Sequence, residues 1–133
     1  MYRKTQHSVY SITLHLVLVV KYRRNVIDDT ISNRIKEIFE LIGDSHEVEI
    51  LEWNHDIDHI HTILSISPST NLNKYINAAK AASSRLIKKE FSSIKLKLWK
   101  DAFWTRGFYV SSTGSTQIDV IKNYILNQGE KEC

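Results

Sequence analysis

Hydrophobic and polar positions recur along the chain in two periods, which together predict seven secondary-structure elements. Alternation with a period of two predicts four strands, and apolar positions spaced three and four residues apart predict three helices. The predicted strands are Ser8–Arg23, Glu47–Trp53, His59–Ser67 and Phe103–Ser112. The predicted helices run from Asp28 or Asp29 to Gly43, onward from near Asn71, and from a cap at Ser115 to about Gln128.

The order of these elements, β-α-β-β-α-β-α, predicts an α+β fold. The first six elements match the ferredoxin-like (RRM-like) plan, in which one antiparallel sheet is backed by two helices. The seventh element, a C-terminal helix, has no place in this two-layer core. It is expected to lie across the open face of the sheet, at an edge, or against another subunit. The length of 133 residues predicts a single domain over residues 1–133.

Charge is distributed unevenly along the chain. Residues 1–70 carry a net charge of −3, whereas residues 71–110 carry +7. Such a local excess suits a phosphate backbone, although a solvated lysine-rich helix gives the same pattern. The cations expected on the exposed side of the second helix are Lys74, Lys80, Arg85, Lys88 and Lys89.

Cysteine usage and hydropathy restrict the cellular setting. Cys133 is the only cysteine, which excludes an intramolecular disulfide framework and a cysteine-rich zinc site. The most apolar stretch, Ile12–Val20, is interrupted by His15 and is shorter than the ~20 residues of a membrane helix. No signal peptide is evident. A cytoplasmic protein with no membrane partner is expected.

The segment Asp58-His59-Ile60-His61 carries the strongest chemical signal. Residues i and i+2 of a strand lie on one face, so His59 and His61 project together while Ile60 faces the core. Two such imidazoles can bind one divalent ion, although two polar positions on a half-exposed strand give the same pattern. His55, in the predicted turn, is a rival ligand. Ordinary surface or core positions are expected for the remaining histidines, His7, His15 and His46.

Tyr124 lies on the predicted last helix, four residues before Gln128 and therefore on the same helical face. It could simply border the apolar stripe that docks this helix. A phenol has a pKa near 10, so only about one molecule in a thousand is ionised at neutral pH. A nearby divalent cation would raise that fraction or polarise the phosphate under attack. A tyrosine nucleophile, a metal and a basic surface together predict a site of nucleic-acid strand cleavage.

Four segments of the chain carry a pattern together. In chain order they are Val19-Val20-Lys21-Tyr22-Arg23-Arg24, then His59-Ile60-His61, then Leu98-Trp99-Lys100 with Phe103-Trp104 and the Gly107–Gly114 stretch, and last Tyr124-Ile125-Leu126-Asn127-Gln128. In this order the segments resemble the single-tyrosine HUH transposases of the IS200/IS605-type insertion sequences, where HUH denotes His-hydrophobe-His. The resemblance covers nearly the whole chain.

The resemblance implies an enzyme that cleaves and rejoins single-stranded DNA at insertion-sequence ends through a 5′-phosphotyrosine. Tyr124 would be the nucleophile. His59, His61 and Gln128 would hold a divalent metal, Mg²⁺ or Mn²⁺. The family also implies a homodimer whose active sites are composed in trans, with Thr113–Gly114 as the joint before the tyrosine helix.

The same resemblance implies single-stranded DNA with hairpin ends as the partner. The basic residues of the second helix, Lys74, Lys80, Arg85, Lys88 and Lys89, are the candidate DNA contacts. Trp99, Phe103, Trp104 and Phe108 are candidates for stacking on bases. Two alternatives are a non-catalytic nucleic-acid-binding module on the same fold and another HUH endonuclease, a replication initiator or relaxase. The short chain argues against the second alternative.

Overall fold

The computed structural model describes residues 2–4, 8–113 and 118–129. Two short strands, β1 (Arg3–Lys4) and β2 (Val9–Tyr10), pair with each other. The main sheet is antiparallel, with the strand order β4-β5-β3-β6. Its strands are β3 (Ile12–Val19), β4 (Glu49–His55), β5 (His59–Ile66) and β6 (Tyr109–Ser112). The helices are α1 (Asp29–His46), α2 (Leu72–Glu90) and α3 (Ile118–Asn127).

One face of the main sheet packs against α1 and α2 and forms the principal core. Alternate residues of the central strands, such as Leu16, Leu18 and Leu64, are almost fully buried there. Both helices begin where the sequence predicts, because the Asp28 carboxylate accepts from the N–H of Ile31 at 2.8 Å and Asn71 caps α2 in the same way. The α+β fold is therefore confirmed, with a sheet backed by two helices.

The prediction of one strand over Ser8–Arg23 is wrong at both ends. Val9 and Tyr10 pair with β1 in a separate ladder, and β3 itself ends at Val19. Residues 21–23 form a tight turn in which Tyr22 and Arg23 adopt left-handed backbone conformations with φ of 55° and 53°, which ends the strand. Alternation of side-chain polarity cannot report such a turn, since polarity carries no information on φ.

The last predicted strand, Phe103–Ser112, is also too long. Only Tyr109–Ser112 pairs with β3, although Trp104 forms an isolated bridge with Val20. Between these points the carbonyl groups of residues 105–107 accept hydrogen bonds from a lysine side chain on α2. Carbonyl groups that point at a side chain cannot also complete a strand ladder, so the strand is interrupted there.

Gly43 does not end α1, contrary to the sequence prediction. The helix continues to His46, and Glu47 takes the left-handed C-cap with φ of 58°. Glycine is needed at position 43 for a different reason. A Cβ atom there would lie 2.7 Å from the carbonyl oxygen of Val48, where the chain turns back toward β4.

The helix α3 packs on the sheet face opposite α1 and α2. Ile121, Ile125 and Tyr124 contact Val17 and Val19 of β3 in a second, smaller core. The last helix therefore crosses the open face, one of the three positions expected for it. Gly114 of the predicted joint and the predicted cap Ser115 lie outside the described residues. Among the described helices, none is long and apolar enough to cross a membrane.

Candidate functional site on the open face of the sheet

His59 and His61 lie side by side on the open face of β5, as the strand period predicts. Their ring centroids are 5.6 Å apart, and Ile60 between them is buried in the core with 1% exposure. His15 stands beside them on β3, with its ring stacked on His61 at 5.8 Å. From the sequence, His15 is expected at an ordinary surface or core position, so its place beside the pair is new. The signal that could have found it is its alternation with Leu14 and Leu16, which puts it on the open face.

The orientation of His59 is fixed by its neighbour Asp58. The Nδ1 atom of His59 lies 2.7 Å from Oδ1 of Asp58, whose side chain is 7% exposed. An ionised carboxylate only accepts hydrogen bonds, so Nδ1 of His59 is the donor in this pair. The Nε2 atom of His59 is then the ring nitrogen with a lone pair for a metal, which is the arrangement that metal-binding histidines require.

Arg23 holds the carboxylate of Asp58 in place from the other side. Its Nε atom donates to Oδ2 of Asp58 at 3.0 Å, so each oxygen of the carboxylate has one fixed partner. The N–H of Val20 also donates to the Asp58 carbonyl at 2.8 Å. The left-handed turn at residues 21–23 thus serves to bring a cation against the carboxylate that orients His59. Sequence reasoning missed this role of Arg23.

Burial changes the protonation of the second histidine. The pKa of His61 is lowered below its ordinary value of 6.5, mainly because burial penalises the charged ring and also because His59 and His15 lie nearby. The pKa of His15 is lowered by burial as well, against an opposing effect of Glu52. A neutral imidazole is the form that binds a metal ion, so this environment favours the form with a free lone pair.

Tyr124 lies on the same face but over different strands. It packs against Tyr109 of β6, with ring centroids 6.0 Å apart, and against β3. In the sheet register His61 pairs with Val17, and Val17 pairs with Tyr109. Two strand spacings, about 10 Å, therefore separate the row of Tyr109 from the row of the histidines. Within one chain the structure does not bring Tyr124 onto the histidine pair.

The hydroxyl group of Tyr124 is shielded from solvent. It lies close to Gly107, where a Cβ atom would be 3.9 Å from the Tyr124 oxygen. A cavity of about 540 Å³ separates the histidines from α3. From α3 this cavity is lined by Ile118, Ile121, Lys122, Ile125 and Leu126. Lys122 is thus a cation beside the histidine pair that the sequence analysis did not select.

Gln128 follows α3 directly, and its backbone N–H bonds to the carbonyls of Tyr124 and Ile125. The next residue, Gly129, lies so close to Arg23 that a Cβ atom would be 3.0 Å from the arginine Cδ. The structure therefore places the end of α3 against the arginine that pairs with Asp58. Gln128 precedes this glycine, and its role as a metal ligand stays a prediction.

The histidine pair could supply two nitrogen ligands to a divalent ion. Among the described residues, no group of three or more His, Cys, Asp or Glu side chains is arranged to hold a metal. The two imidazoles would leave most of the coordination of a divalent ion open to other ligands. His55 is not part of this site, because its Nε2 lies 2.8 Å from Oδ1 of Asp29, and it pairs with Ile60 in the register that faces the core.

Lys80 is wrongly predicted as an exposed DNA contact. Its side chain is buried, with 9% exposure, and the ammonium donates to the carbonyls of Thr105, Arg106 and Gly107 at 2.8, 3.1 and 3.1 Å. Burial also lowers the pKa of Lys80 below its ordinary value. The helical period places Lys80 at the border of the buried face, and the carbonyls of a distant segment decide on which side of that border it lies.

Three of the other predicted cations share one groove. Arg85, Lys88 and Lys89 line a cavity of about 620 Å³ together with Lys95 and Asp101. The Nζ atom of Lys88 donates to the Asp101 carbonyl at 3.0 Å. Lys74 is exposed near the start of α2, away from this groove. We call the lined cavity the basic groove.

Among the aromatic candidates for base stacking, Phe103 and Trp104 are buried in the core with 1% and 8% exposure. The indole N–H of Trp104 donates to Ser83 at 3.0 Å. Phe108 is partly buried and packs against the same core. Trp99 is partly exposed and lies on the surface turn that follows the basic groove in sequence. Base stacking by Phe103 and Trp104 is therefore excluded by their burial.

Comparisons with known proteins identify the family of this chain. The family model of IS200-like transposases matches residues 8–128. The ISDra2 transposase TnpA of Deinococcus radiodurans is 28% identical over 130 residues, covering 98% of this chain and 93% of the relative. The transposase for insertion sequence element IS200 of Salmonella typhimurium is 29% identical over 126 residues, covering 95% of this chain and 82% of the relative.

Solved structures show the same fold. A crystal structure of a protein described as a candidate transposase from Deinococcus radiodurans R1 superposes with a TM-score of 0.86 at 26% identity, covering 97% of this chain and 99% of that chain. A REP-associated tyrosine transposase bound to a REP hairpin gives a TM-score of 0.60 at 12% identity, covering 94% and 68%, and supports the fold alone. Because the family model matches the chain from Ser8 to Gln128, the protein belongs to the IS200-like transposases, of the IS200/IS605 type.

Proposed function

We propose that this transposase cleaves single-stranded DNA at insertion-sequence ends and rejoins it through a tyrosine-linked intermediate. The phenolic oxygen of Tyr124 would attack the scissile phosphorus, forming a 5′-phosphotyrosine as the bond to the 3′ oxygen breaks. The departing 3′ oxygen takes up a proton and leaves as a hydroxyl. That hydroxyl can attack a second phosphotyrosine and release the tyrosine, so the energy of the phosphodiester bond is conserved.

The observation that carries this proposal is the oriented histidine pair facing the tyrosine helix across the open face. His59 through Nε2, His61 and Gln128 would hold Mg²⁺ or Mn²⁺. When bound, the ion would supply positive charge to the non-bridging oxygens of the scissile phosphate. Asp58 and Arg23 would keep His59 in the required tautomer, and Lys122 would add a cation on the other wall of the cavity.

A homodimer that exchanges its tyrosine helices would solve the separation found within one chain. Tyr124 packs on Val17 and Val19 of β3 and on Tyr109 of β6, whereas the histidines lie on β5. Two apolar residues of α3 that line the histidine cavity are exposed, Ile118 at 67% and Leu126 at 57%. Exposed apolar side chains on a helix are typical of a surface that a second copy covers. We therefore propose that each active site combines the histidines of one subunit with Tyr124 of the other.

Single-stranded DNA with hairpin ends is the proposed substrate. The basic groove gathers Arg85, Lys88, Lys89 and Lys95, as a phosphate backbone requires. One solved structure of the same fold is described as bound to a REP hairpin. The turn at Trp99 lies in sequence between Lys95 and Asp101 of the basic groove. This turn is on the side of the molecule where α3 ends.

Covalent capture of DNA tests the proposal. Single-stranded DNA from the flanks of the element encoding this chain is incubated with protein and Mn²⁺ or Mg²⁺, and adducts are separated under denaturing conditions. Wild type is expected to form an adduct that chelator prevents. Tyr124→Phe is expected to form none, whereas the matched variant Tyr109→Phe, altered in the ring packed against Tyr124, keeps it. DNA binding without any adduct would instead favour the non-catalytic binding module.

Mixing two inactive variants tests the exchange of helices. Tyr124→Phe lacks the nucleophile and His61→Ala lacks a ligand, so neither forms an adduct alone. If the sites are composed in trans, mixed dimers contain one complete site, and adduct appears on the His61→Ala subunit only. Absence of adduct in the mixture, with mixed dimers shown to form, would place the tyrosine in cis.

A further inference from the structure

A second cavity lies on the side of the molecule where α3 ends, outside the histidine site. It has a volume of about 400 Å³ and is lined by Tyr22, Arg24, Trp99 and Gly129. The rings of Tyr22 and Trp99 meet edge to face, with centroids 4.9 Å apart. We call this cavity the aromatic cleft. Its volume lies within the range of small-ligand sites.

Cations surround the two rings of the aromatic cleft. The Nζ atom of Lys100 lies 4.7 Å from the Trp99 ring centroid. The Nζ atom of Lys21 lies 5.4 Å from the Tyr22 centroid and 5.9 Å from that of Trp99. Arg24 is exposed on the rim. Aromatic faces with positive charges around them are the combination by which proteins bind unpaired bases and their phosphates.

The backbone around the aromatic cleft is held in costly conformations. Tyr22, Arg23, Lys100 and Asp101 have φ between 48° and 65°, and in the described part of the chain only Glu47 shares this feature among residues other than glycine. Each such residue costs about 1–3 kcal/mol of strain, which persists where the surrounding structure over-determines the backbone. Two strained turns that meet at one cleft indicate that the ring positions are fixed before any ligand binds.

The position of the aromatic cleft connects it to both parts of the proposed DNA path. Asp101 lines the basic groove and Trp99, two residues earlier, lines the cleft, so the turn between them connects the two cavities. On its other side the cleft ends at Gly129, the residue after Gln128. Arg23, between Tyr22 and Arg24, pairs with the carboxylate that orients His59.

From these observations we infer that the aromatic cleft binds one unpaired base of single-stranded DNA next to the scissile phosphate. The base stacks on Trp99 beside Tyr22, while the ammonium groups of Lys21 and Lys100 move from the rings to the adjoining phosphates. This inference rests on the proposed function and adds the site that sets the strand relative to the histidines. The occupant is a nucleotide, because the faces of Trp99 and Tyr22 suit a base, and the ammonium of Lys100 and the exposed guanidinium of Arg24 suit a phosphate.

Equilibrium binding in chelator tests the aromatic cleft without any cleavage. Two fluorescent strands of equal length are compared by anisotropy, one of thymidines and one of abasic sugar-phosphate units, so that they differ only in the bases. Wild type is expected to bind the thymidine strand about 5- to 100-fold more tightly. Trp99→Leu, which keeps apolar bulk but loses the aromatic face, is expected to bind both strands equally. Trp99→Phe is expected to keep most of the preference.

Two further variants separate stacking from charge and from folding. Lys100→Gln is expected to weaken binding of both strands equally and to lower the salt dependence by about one phosphate contact. Tyr2→Ala removes an aromatic ring that is 80% exposed elsewhere and is expected to change nothing. A preference for thymidines that survives Trp99→Leu would overturn the inference, as would equal binding of the two strands by wild type. If wild type still forms the covalent adduct when either of these two results is found, the proposed function holds and only the role of the aromatic cleft is refuted.

Discussion

Replacement of Lys80 by methionine tests whether this lysine is buried, as the structure shows, or exposed, as the helical pattern predicts. Methionine keeps the apolar stem but removes the ammonium that three carbonyl groups share. A hydrogen bond from a charged donor contributes about 1.5–3 kcal/mol to stability. The burial that lowers the pKa of Lys80 shows that desolvation of the ammonium offsets part of this gain. We expect the free energy of unfolding to fall by about 2–4 kcal/mol.

Urea unfolding followed by tryptophan fluorescence measures this change. For a domain of this size the denaturant slope is about 1–3 kcal/mol per molar, so the midpoint should fall by about 1–2 M. The control is Lys74→Met, an exposed lysine on the same helix, which should stay within about 0.5 kcal/mol of wild type. A Lys80→Met variant of unchanged stability but weaker DNA binding would refute the reasoning and restore Lys80 as an exposed DNA contact.

Three smaller perturbations test the packing around α1. Two serine hydroxyl groups hold the pKa of Glu47 below its usual 4.5, so the stabilisation from this carboxylate is present above pH 4.5 and is lost as the pH falls through the lower folded-state pKa. Glu47→Gln should therefore be less stable than wild type at pH 7 and equal to it at strongly acidic pH. Urea unfolding at several pH values measures this difference. Tyr75→Phe removes a buried hydroxyl that donates to the Phe39 carbonyl at 3.0 Å and should cost about 0.5–1.5 kcal/mol in the same assay, a loss near zero arguing against that bond. Gly43→Ala raises helix propensity, yet its Cβ atom would lie 2.7 Å from the Val48 oxygen, so it should destabilise by about 1–3 kcal/mol, and a stabilised variant would contradict the close approach.

Part of the candidate site follows from the sequence because it depends on one strand alone. His59 and His61 share a face for the same reason that Ile60 is buried: side chains alternate along any strand. The capping residues Asp28 and Asn71 were likewise predictable, since a cap bonds to an N–H only three residues away.

Other parts depend on segments far apart in the chain. Arg23 meets Asp58 across 35 residues, and Lys80 meets the Gly107 carbonyl across 27. No periodicity within one element encodes either partner. The strained turn that aims Arg23 is also invisible to a polarity pattern, because residues in left-handed conformations are recognisable from sequence mainly when they are glycine or asparagine.

The sequence by itself determined which faces of the strands are apolar, where α1 and α2 begin, and that His59 and His61 stand together on one face of a strand. These features arise from the fixed geometry of single elements, which repeats every 2 or 3.6 residues. Only the tertiary structure decided that Lys80 is internal, that Arg23 and Asp58 orient His59, and that Tyr124 rests over β3 and β6 instead of on the histidines of its own chain. Those outcomes depend on how separate elements approach one another, and that approach is set by the packing of the whole core.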